Sequence, residues 1–352
     1  MGAKMNVITE FHQESLWWSM QLLCDRLGWT LYRPYGMDWY TKGYYKLYGH
    51  LGMPDPYGWL AYKYLEDTVY DYDAHTHTGV GIEARKGCDL FPKFNLVTLD
   101  EALSMKFDYI ICGIKDNEPY FRRFRDKHNP DAKLIRHVGN AGDVVDTAMY
   151  KNIMSSDKQG FASYGPCNKI LYHQEFPLWL YTYEPIEYPE YNNHYIYAFI
   201  NGFNEQYPAA DKWARFTHAL REFQFCSFGA GCEDGKIFVR ERLVEAMLQA
   251  TFFWHYKWID GYGHTLYNAG ALGRPVITAP DCYAGKMGEE LLTDGETCVM
   301  DYGEPGIFDK VRYWSQPDNL LQMCENMHRR FTERVNFNYE FENVLKPFLE
   351  RC

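Results

Sequence analysis

Between Thr251 and Thr278 the chain carries a strongly apolar run, Thr251 to Trp258, then glycines at 261 and 263, a short stretch of small and apolar residues, Gly273, and the run Pro275-Val-Ile-Thr278. Read in order this is a strand, a turn, a short helix, a second turn and a buried strand, and strands joined through a helix run parallel. The pattern confines this part of the chain to a parallel sheet wound with helices. Its glycines also start the helix at a strand's carboxyl edge, where the first backbone N–H groups have no intrahelical partners and favour an anion. A nucleotide diphosphate fits such a place.

The same alternation runs along most of the chain. Asn6 to Phe11 reads as a buried strand, followed by Leu16, Met20, Leu23 and Leu27 at helical spacing, and then by a short strand, Thr30 to Tyr32. Pro34 to Tyr72, rich in Tyr, Gly and Pro, has no clean period and reads as long loops with short helices. Strands are expected at Phe94 to Thr98, Asp108 to Ile114, Lys133 to Val138, Asn152 to Ser155 and Lys169 to Tyr172. Helices are expected near Asp100 to Met105 and Glu118 to Lys127.

Tyr181 to Asn193, rich in Tyr, Pro and Glu, is the best linker. After it come strand Tyr195 to Ile200, helix Ala210 to Glu222, strand Gln224 to Phe228 and helix Arg240 to Ala250, whose Leu243, Ala246, Met247 and Ala250 make one apolar stripe. A helix striped by Leu320, Cys324, Met327 and Phe331 precedes an aromatic tail. The organisation expected is a doubly wound α/β domain over 1–190, a second over 191–330, and a tail over 331–352 packing back on the first.

Composition narrows the class. The 36 basic and 47 acidic residues give a net charge of −11, which opposes non-specific attraction to nucleic acid or an anionic membrane. Ten cysteines show no CxxC pair and no metal-finger spacing, and no secretory signal precedes them, so they read as reduced thiols of a cytoplasmic protein. No apolar run approaches the roughly 20 residues of a spanning helix. The phosphate-binding GxxxxGK[ST], the GxSxG elbow and the GxGxxG fingerprint are all missing, which removes support from kinase, hydrolase and dehydrogenase classes.

Asp260-Gly-Tyr-Gly, then four residues, Asn268-Ala, then Gly273-Arg-Pro-Val-Ile277, and later Glu290-Leu-Leu-Thr-Asp-Gly-Glu-Thr-Cys298 follow one another in a telling order. Together with the two α/β halves, they resemble the GT-B glycosyltransferases, and most nearly their retaining, E-x7-E type. The resemblance implies two Rossmann-like domains facing across a cleft, with a nucleotide-diphosphate sugar held by the second and a hydroxyl acceptor by the first. It implies neither a metal nor a covalently bound cofactor. The motif covers about 50 residues and departs from the family twice: Asp260 and Asn268 stand where the family has glutamates. Asp260 would face the donor sugar one methylene short, and Asn268 would meet the nucleotide ribose as a neutral hydrogen-bonding partner.

On the same resemblance, Gly261, Gly263, His264 and Thr265 supply backbone or hydroxyl donors to the diphosphate, and Glu290 meets the ribose or starts a helix. The family's Arg and Lys after the first strand of the second domain are not evident in Ile200-Asn-Gly-Phe-Asn-Glu-Gln. The compensating positive charge must therefore come from elsewhere, and Lys257, Lys212 and Arg240 are the candidates. His137, at the end of a strand, resembles in position a histidine placed against the donor sugar. His12 and Asp116, each following a strand, are the acceptor-side residues, and either could serve as the base an inverting enzyme needs.

Asp71, Asp73, His75 and His77 alternate in an extended string, yet the favoured reading is a solvated loop before Gly79 and Gly81. Two acceptor classes stay open, a saccharide or glycan precursor and a hydroxylated DNA base. The non-enzymatic alternative is a nucleotide- or sugar-binding module of the same fold, which the substitutions at 260 and 268 make credible.

Overall fold

The apolar tetrapeptide Tyr109–Cys112 is buried at every position, and its residues alternate between two cores. Odd positions, with Val7, Ile135 and Met154, join one core, and even positions, with Ile8, Leu134 and Ile153, join the other. A strand covered on both faces in this way belongs to a parallel sheet between two layers of helix. The computed structural model describes residues 4–9, 14–34, 95–97, 99–113, 118–139, 143–173, 194–203, 209–229, 231–235, 237, 240–258 and 262–352.

The first series runs β1 (Asn6–Thr9), α1 (Glu14–Leu27), β2 (Thr30–Pro34), β3 (Asn95–Val97), α2 (Leu99–Ser104), β4 (Tyr109–Cys112), α3 (Glu118–His128), β5 (Lys133–Val138), β6 (Asn152–Ser155), α4 (Lys158–Phe161) and β7 (Asn168–Leu171). All its strands pair in parallel, in the order β3-β2-β1-β4-β5-β6-β7. Leu16, Met20, Leu23 and Cys24 of α1 cover one face, and Ala102 of α2 with Phe121 and Phe124 of α3 cover the other.

The second series runs β8 (Tyr195–Phe199), α5 (Ala209–Ala219), β9 (Gln224–Phe228), α6 (Arg240–Gln249), β10 (Phe252–Trp254), α7 (His264–Ala271), β11 (Val276–Thr278), α8 (Pro280–Tyr283), a 3-10 helix Met287–Leu291, β12 (Cys298–Met300), α9 (Ile307–Trp314) and α10 (Pro317–Arg334). Its five strands are parallel in the order β12-β11-β10-β8-β9. Helix α5 lays Trp213 and Phe216 on Trp254 of the central strand β10, with ring centroids 5.0 and 6.3 Å away.

The remaining residues form α11 (Phe337–Glu340), a π-helical turn (Phe341–Leu345) and α12 (Lys346–Arg351). Pro347 has no N–H to give the carbonyl four residues earlier, which accounts for the widened turn. Phe341, Leu345, Phe348 and Leu349 enter the core beside α1. The chain therefore divides into Met1–Phe176 with Phe337–Cys352 as one unit and Pro177–Asn336 as the other.

Details differ from the sequence reading. The run Thr251 to Trp258 yields a strand of only three residues, Phe252–Trp254, with His255 N–H still donating to Ile277. Of the stripe ascribed to α6, Ala246, Met247 and Ala250 are buried, whereas Leu243 is half-buried and Val244, 1% exposed, packs inward in its place. Strand β12 and helix α9 were not foreseen. Pro34 to Tyr72, the string Asp71 to His77 and the segment Tyr181 to Asn193 lie outside the described residues.

Candidate functional site

The second sheet grows outward from β8 in both directions. The chain places β9 on one side of β8, then crosses to the other side for β10, β11 and β12. The crevice at the carboxyl ends of β8 and β10 is thus the switch point at which open α/β sheets take ligands.

Local chemistry holds that crevice open at the backbone level. Helix α7 starts at Gly263, whose φ is +86° and whose carbonyl accepts from Leu266 and Tyr267, so the N–H groups of Gly263, His264 and Thr265 precede the helix's own ladder. The Thr265 hydroxyl donates to the Phe199 carbonyl at 3.0 Å, tying the first turn of α7 to the end of β8. Beneath Gly263 lies the Tyr283 ring, 3.1 Å from where a Cβ would stand. On the far side Gly229, at φ +140°, passes so close to Ile200 that an added Cβ would stand 2.2 Å from its carbonyl oxygen. The loop after β9 is closed over β8 by Cys232 Sγ, which donates to the Ile200 carbonyl at 3.2 Å.

Aromatic packing fixes the helix from behind. Tyr262 stacks on Tyr267 with centroids 4.1 Å apart and planes within 2°. The Tyr267 hydroxyl reaches Glu290 Oε1 at 3.5 Å, and Gly270 lets α7 lie directly against Phe331 of α10. Glu290 is therefore held against the back of α7 from the 3-10 helix.

Several residues singled out from the sequence gather here. Gly263, His264, Thr265 and Asn268 belong to the first turns of α7, with His264 and Asn268 four apart and so on one face. Lys257, half-buried, follows β10, and its backbone N–H meets the Cys282 sulfur. Burial pushes the Cys282 thiol up to about 11, so it is no thiolate nucleophile near neutrality. His137 is the last residue but one of β5 in the first unit, 2% exposed, its ring edge-on to Tyr172 at 5.8 Å. Arg240 opens α6, while Asp260, Gly261, His12 and Asp116 lie outside the described residues. The strands that precede His12 and Asp116, β1 and β4, are neighbours in the first sheet.

Lys212 stands elsewhere. Its Nζ is 2.6 Å from Asp301 Oδ2 and 5.0 Å above the Tyr256 ring. Asp301 also accepts from the Tyr256 hydroxyl at 3.1 Å and from the Gly303 N–H at 2.8 Å. Burial opposes its charge, yet the Lys212 ammonium, the Gly303 N–H and the Tyr256 hydroxyl together hold its carboxyl below the usual range. Burial, then the Asp301 carboxylate, push the Tyr256 phenol well above its ordinary value. Asp301 escaped the sequence reading because the short strand before it did; the apolar triplet Cys298–Met300 after the turn Asp294-Gly-Glu-Thr was the available signal.

No protein-family model and no curated protein sequence matches the chain. Solved structures do. Sucrose-phosphate synthase from Thermosynechococcus elongatus superposes with a TM-score of 0.62 at 10% identity, over 99% of this chain and 99% of its own. HepE from Anabaena, solved with UDP and glucose, gives 0.60 at 8% identity over 99% and 100%. The chain has the GT-B fold. TarM of S. aureus gives 0.55 at 10% identity over 68% of this chain and 54% of TarM, so the chain spans about half the length of that protein. Within the GT-B fold of this chain, α7 and its glycine turn belong to the second unit, at the carboxyl edge of its sheet. Among the described residues no group of three His, Cys, Asp or Glu side chains is placed to hold a metal, and no helix is long and apolar enough to cross a membrane.

Proposed function

We propose that the protein transfers a sugar from a nucleotide-diphosphate sugar to a hydroxyl acceptor. The observation that carries this reading is the start of α7, left-handed at Gly263 and tied by Thr265 to the end of β8, so that backbone N–H groups and the helix dipole face the switch point. The diphosphate rests there. Gly261, Gly263, His264 and Thr265 bond its oxygens, and Lys257 meets the charge that develops as the glycosidic bond breaks. Asp260 faces the donor sugar, and Asn268, one turn along from His264, takes the ribose hydroxyls with Glu290 behind the helix. Arg240 is a further cation for the donor. The acceptor is assigned to the first unit, where His12 and Asp116 follow the neighbouring strands β1 and β4 and His137 lies near the end of the next, β5.

The finer reading, carried by the resemblance to the retaining type, is retention of configuration without a metal; in such a mechanism the leaving phosphate can accept the acceptor's proton and no dedicated base is required. HepE was solved with UDP and glucose, which makes a UDP-sugar the first donor to try. A saccharide is the favoured acceptor, because the charge of −11 works against a polyanionic one.

A panel of nucleotide sugars, each with saccharides or hydroxymethylated DNA, tests the proposal through nucleoside diphosphate release and product mass. Lys257→Ala is expected to lower kcat by about 10²–10³, the usual cost of removing a group that stabilises transition-state charge. Asn268→Ala should chiefly raise the donor KM. Full turnover in both Asp260→Ala and Lys257→Ala would sink the site assignment, and donor binding without transfer to any acceptor would make the protein a binding module.

A further inference from the structure

A pocket lies on the other face of the same sheet edge. Along the end of β10 the side chains alternate: His255 meets the Tyr283 hydroxyl beneath Gly263, on the α7 side, whereas Trp254 and Tyr256 turn toward α5. Trp258 continues the second series, its ring centroid 6.0 Å from that of Tyr256. On this α5 side a pocket of about 410 Å³ opens, lined by Lys212, Trp258, Asp281, Asp301, Tyr302 and Gly303, with Ala279 and Pro280 completing it. Its volume lies in the range of small-molecule sites.

The chemistry of the lining selects the ligand. Lys212 is already neutralised by Asp301 at 2.6 Å, and Asp281 brings a second carboxylate to the lining against that one cation, so the lining disfavours phosphate. Two aromatic side chains flank the polar groups. Trp258 is half-buried and its indole N–H is anchored on Asp281 Oδ2 at 2.8 Å, while Tyr302 is 60% exposed, with the Lys310 ammonium 5.3 Å from its ring. In the same lining the Lys212–Asp301 pair sets a donor and an acceptor side by side, both held in place by Tyr256 and Gly303. Apolar ring faces with a charge-compensated donor and acceptor between them suit a neutral ring bearing hydroxyls on its edge and C–H groups on its face.

We propose that this pocket binds a neutral saccharide, at a site separate from the start of α7. The site requires no transfer reaction, because only the pocket's own residues form it. A mono- or oligosaccharide held there would anchor a glycan on the second unit.

Saturation-transfer NMR and calorimetry with neutral hexoses, N-acetylhexosamines and short oligosaccharides test it, with UDP as the competing probe. Binding of at least one of these sugars is expected, undiminished by saturating UDP. Tyr302→Ala should weaken binding roughly three- to tenfold, the scale of one aromatic contact, and Asp281→Asn should weaken it while retaining an oxygen acceptor for the Trp258 indole. Both residues are at the surface, and an unchanged thermal midpoint in each variant excludes misfolding. Binding of the oligosaccharides alone would identify a glycan chain as the occupant, still within the proposal. No binding by any sugar, displacement by UDP, or full affinity in Tyr302→Ala would overturn it. Failure of the donor panel to turn over leaves this outcome untouched, so the two readings fail separately.

Discussion

At Gly263 a side chain is excluded twice, by a φ of +86° and by the Tyr283 ring 3.1 Å from the Cβ position. Gly263→Ala is expected to cost about 1–2 kcal/mol, chiefly the left-handed backbone, and to raise the donor KM by moving the first turn of α7. Gly229→Ala is harsher, since its Cβ would meet the backbone Ile200 oxygen at 2.2 Å and neither side can yield; a loss of about 3 kcal/mol or more, read by urea unfolding, is expected. Asp301 gives a pH signature. Its folded carboxyl lies below the ordinary value, so its contribution to stability is complete above the unfolded value of about 3.9 and fades as pH falls through the lower folded one. Asp301→Asn lacks that contribution, and the gap in Tm between wild type and variant should be widest near neutrality and close on acidification. Gly263 and Thr265 were legible in the sequence as turn and helix-start residues, whereas Gly229 was not. Asp301 was not, because a lone acid acquires meaning only through Lys212 and Tyr256, which the fold brings to it from far along the chain, beside the Gly303 N–H of its own turn.

Elements whose apolar periodicity is unbroken were readable. The stripe Leu320, Cys324, Met327, Phe331 is buried along α10, and the runs at Lys133–Val138, Asn152–Ser155 and Gln224–Phe228 are strands at the expected residues. Strand β12, three residues long, and the eight-residue α9 are too short for a period to emerge from sequence, and they form because neighbours pair with or cover them. Val276, Ile277 and Thr278 supply the register for β12. The aromatic tail showed no strong period either, since a π-helical turn shifts the face that Phe341 and Leu345 present relative to Phe348 and Leu349. Phe348, fully buried in the first unit, is the sharpest test of that element. Phe348→Ala should lower stability by about 3–5 kcal/mol, with calorimetry locating the loss in one transition.

Each unit has its own sheet and its own helices, so heating should show two transitions instead of one. UDP added at about 100 times its Kd should raise only the transition of the second unit, by about 2.7 kcal/mol. An equal rise in both would show that donor binding couples them. The strand orders made the GT-B fold visible, and they were foreshadowed by strand and helix alternation because every crossover in a parallel sheet needs a covering helix. What alternation did not convey was sheet order, which depends on which side of β1 and β8 each later strand docks. Residues 177–336 form one unit, and residues on both sides of them form the other. Synthesis in order adds every residue of the middle unit before Phe341, Leu345, Phe348 and Leu349 of the first core. Domains usually mature in the order of synthesis. Here the unit begun first is finished last, and a released chain truncated after residue 336 should expose an unsealed apolar face to chaperones while its neighbour is native.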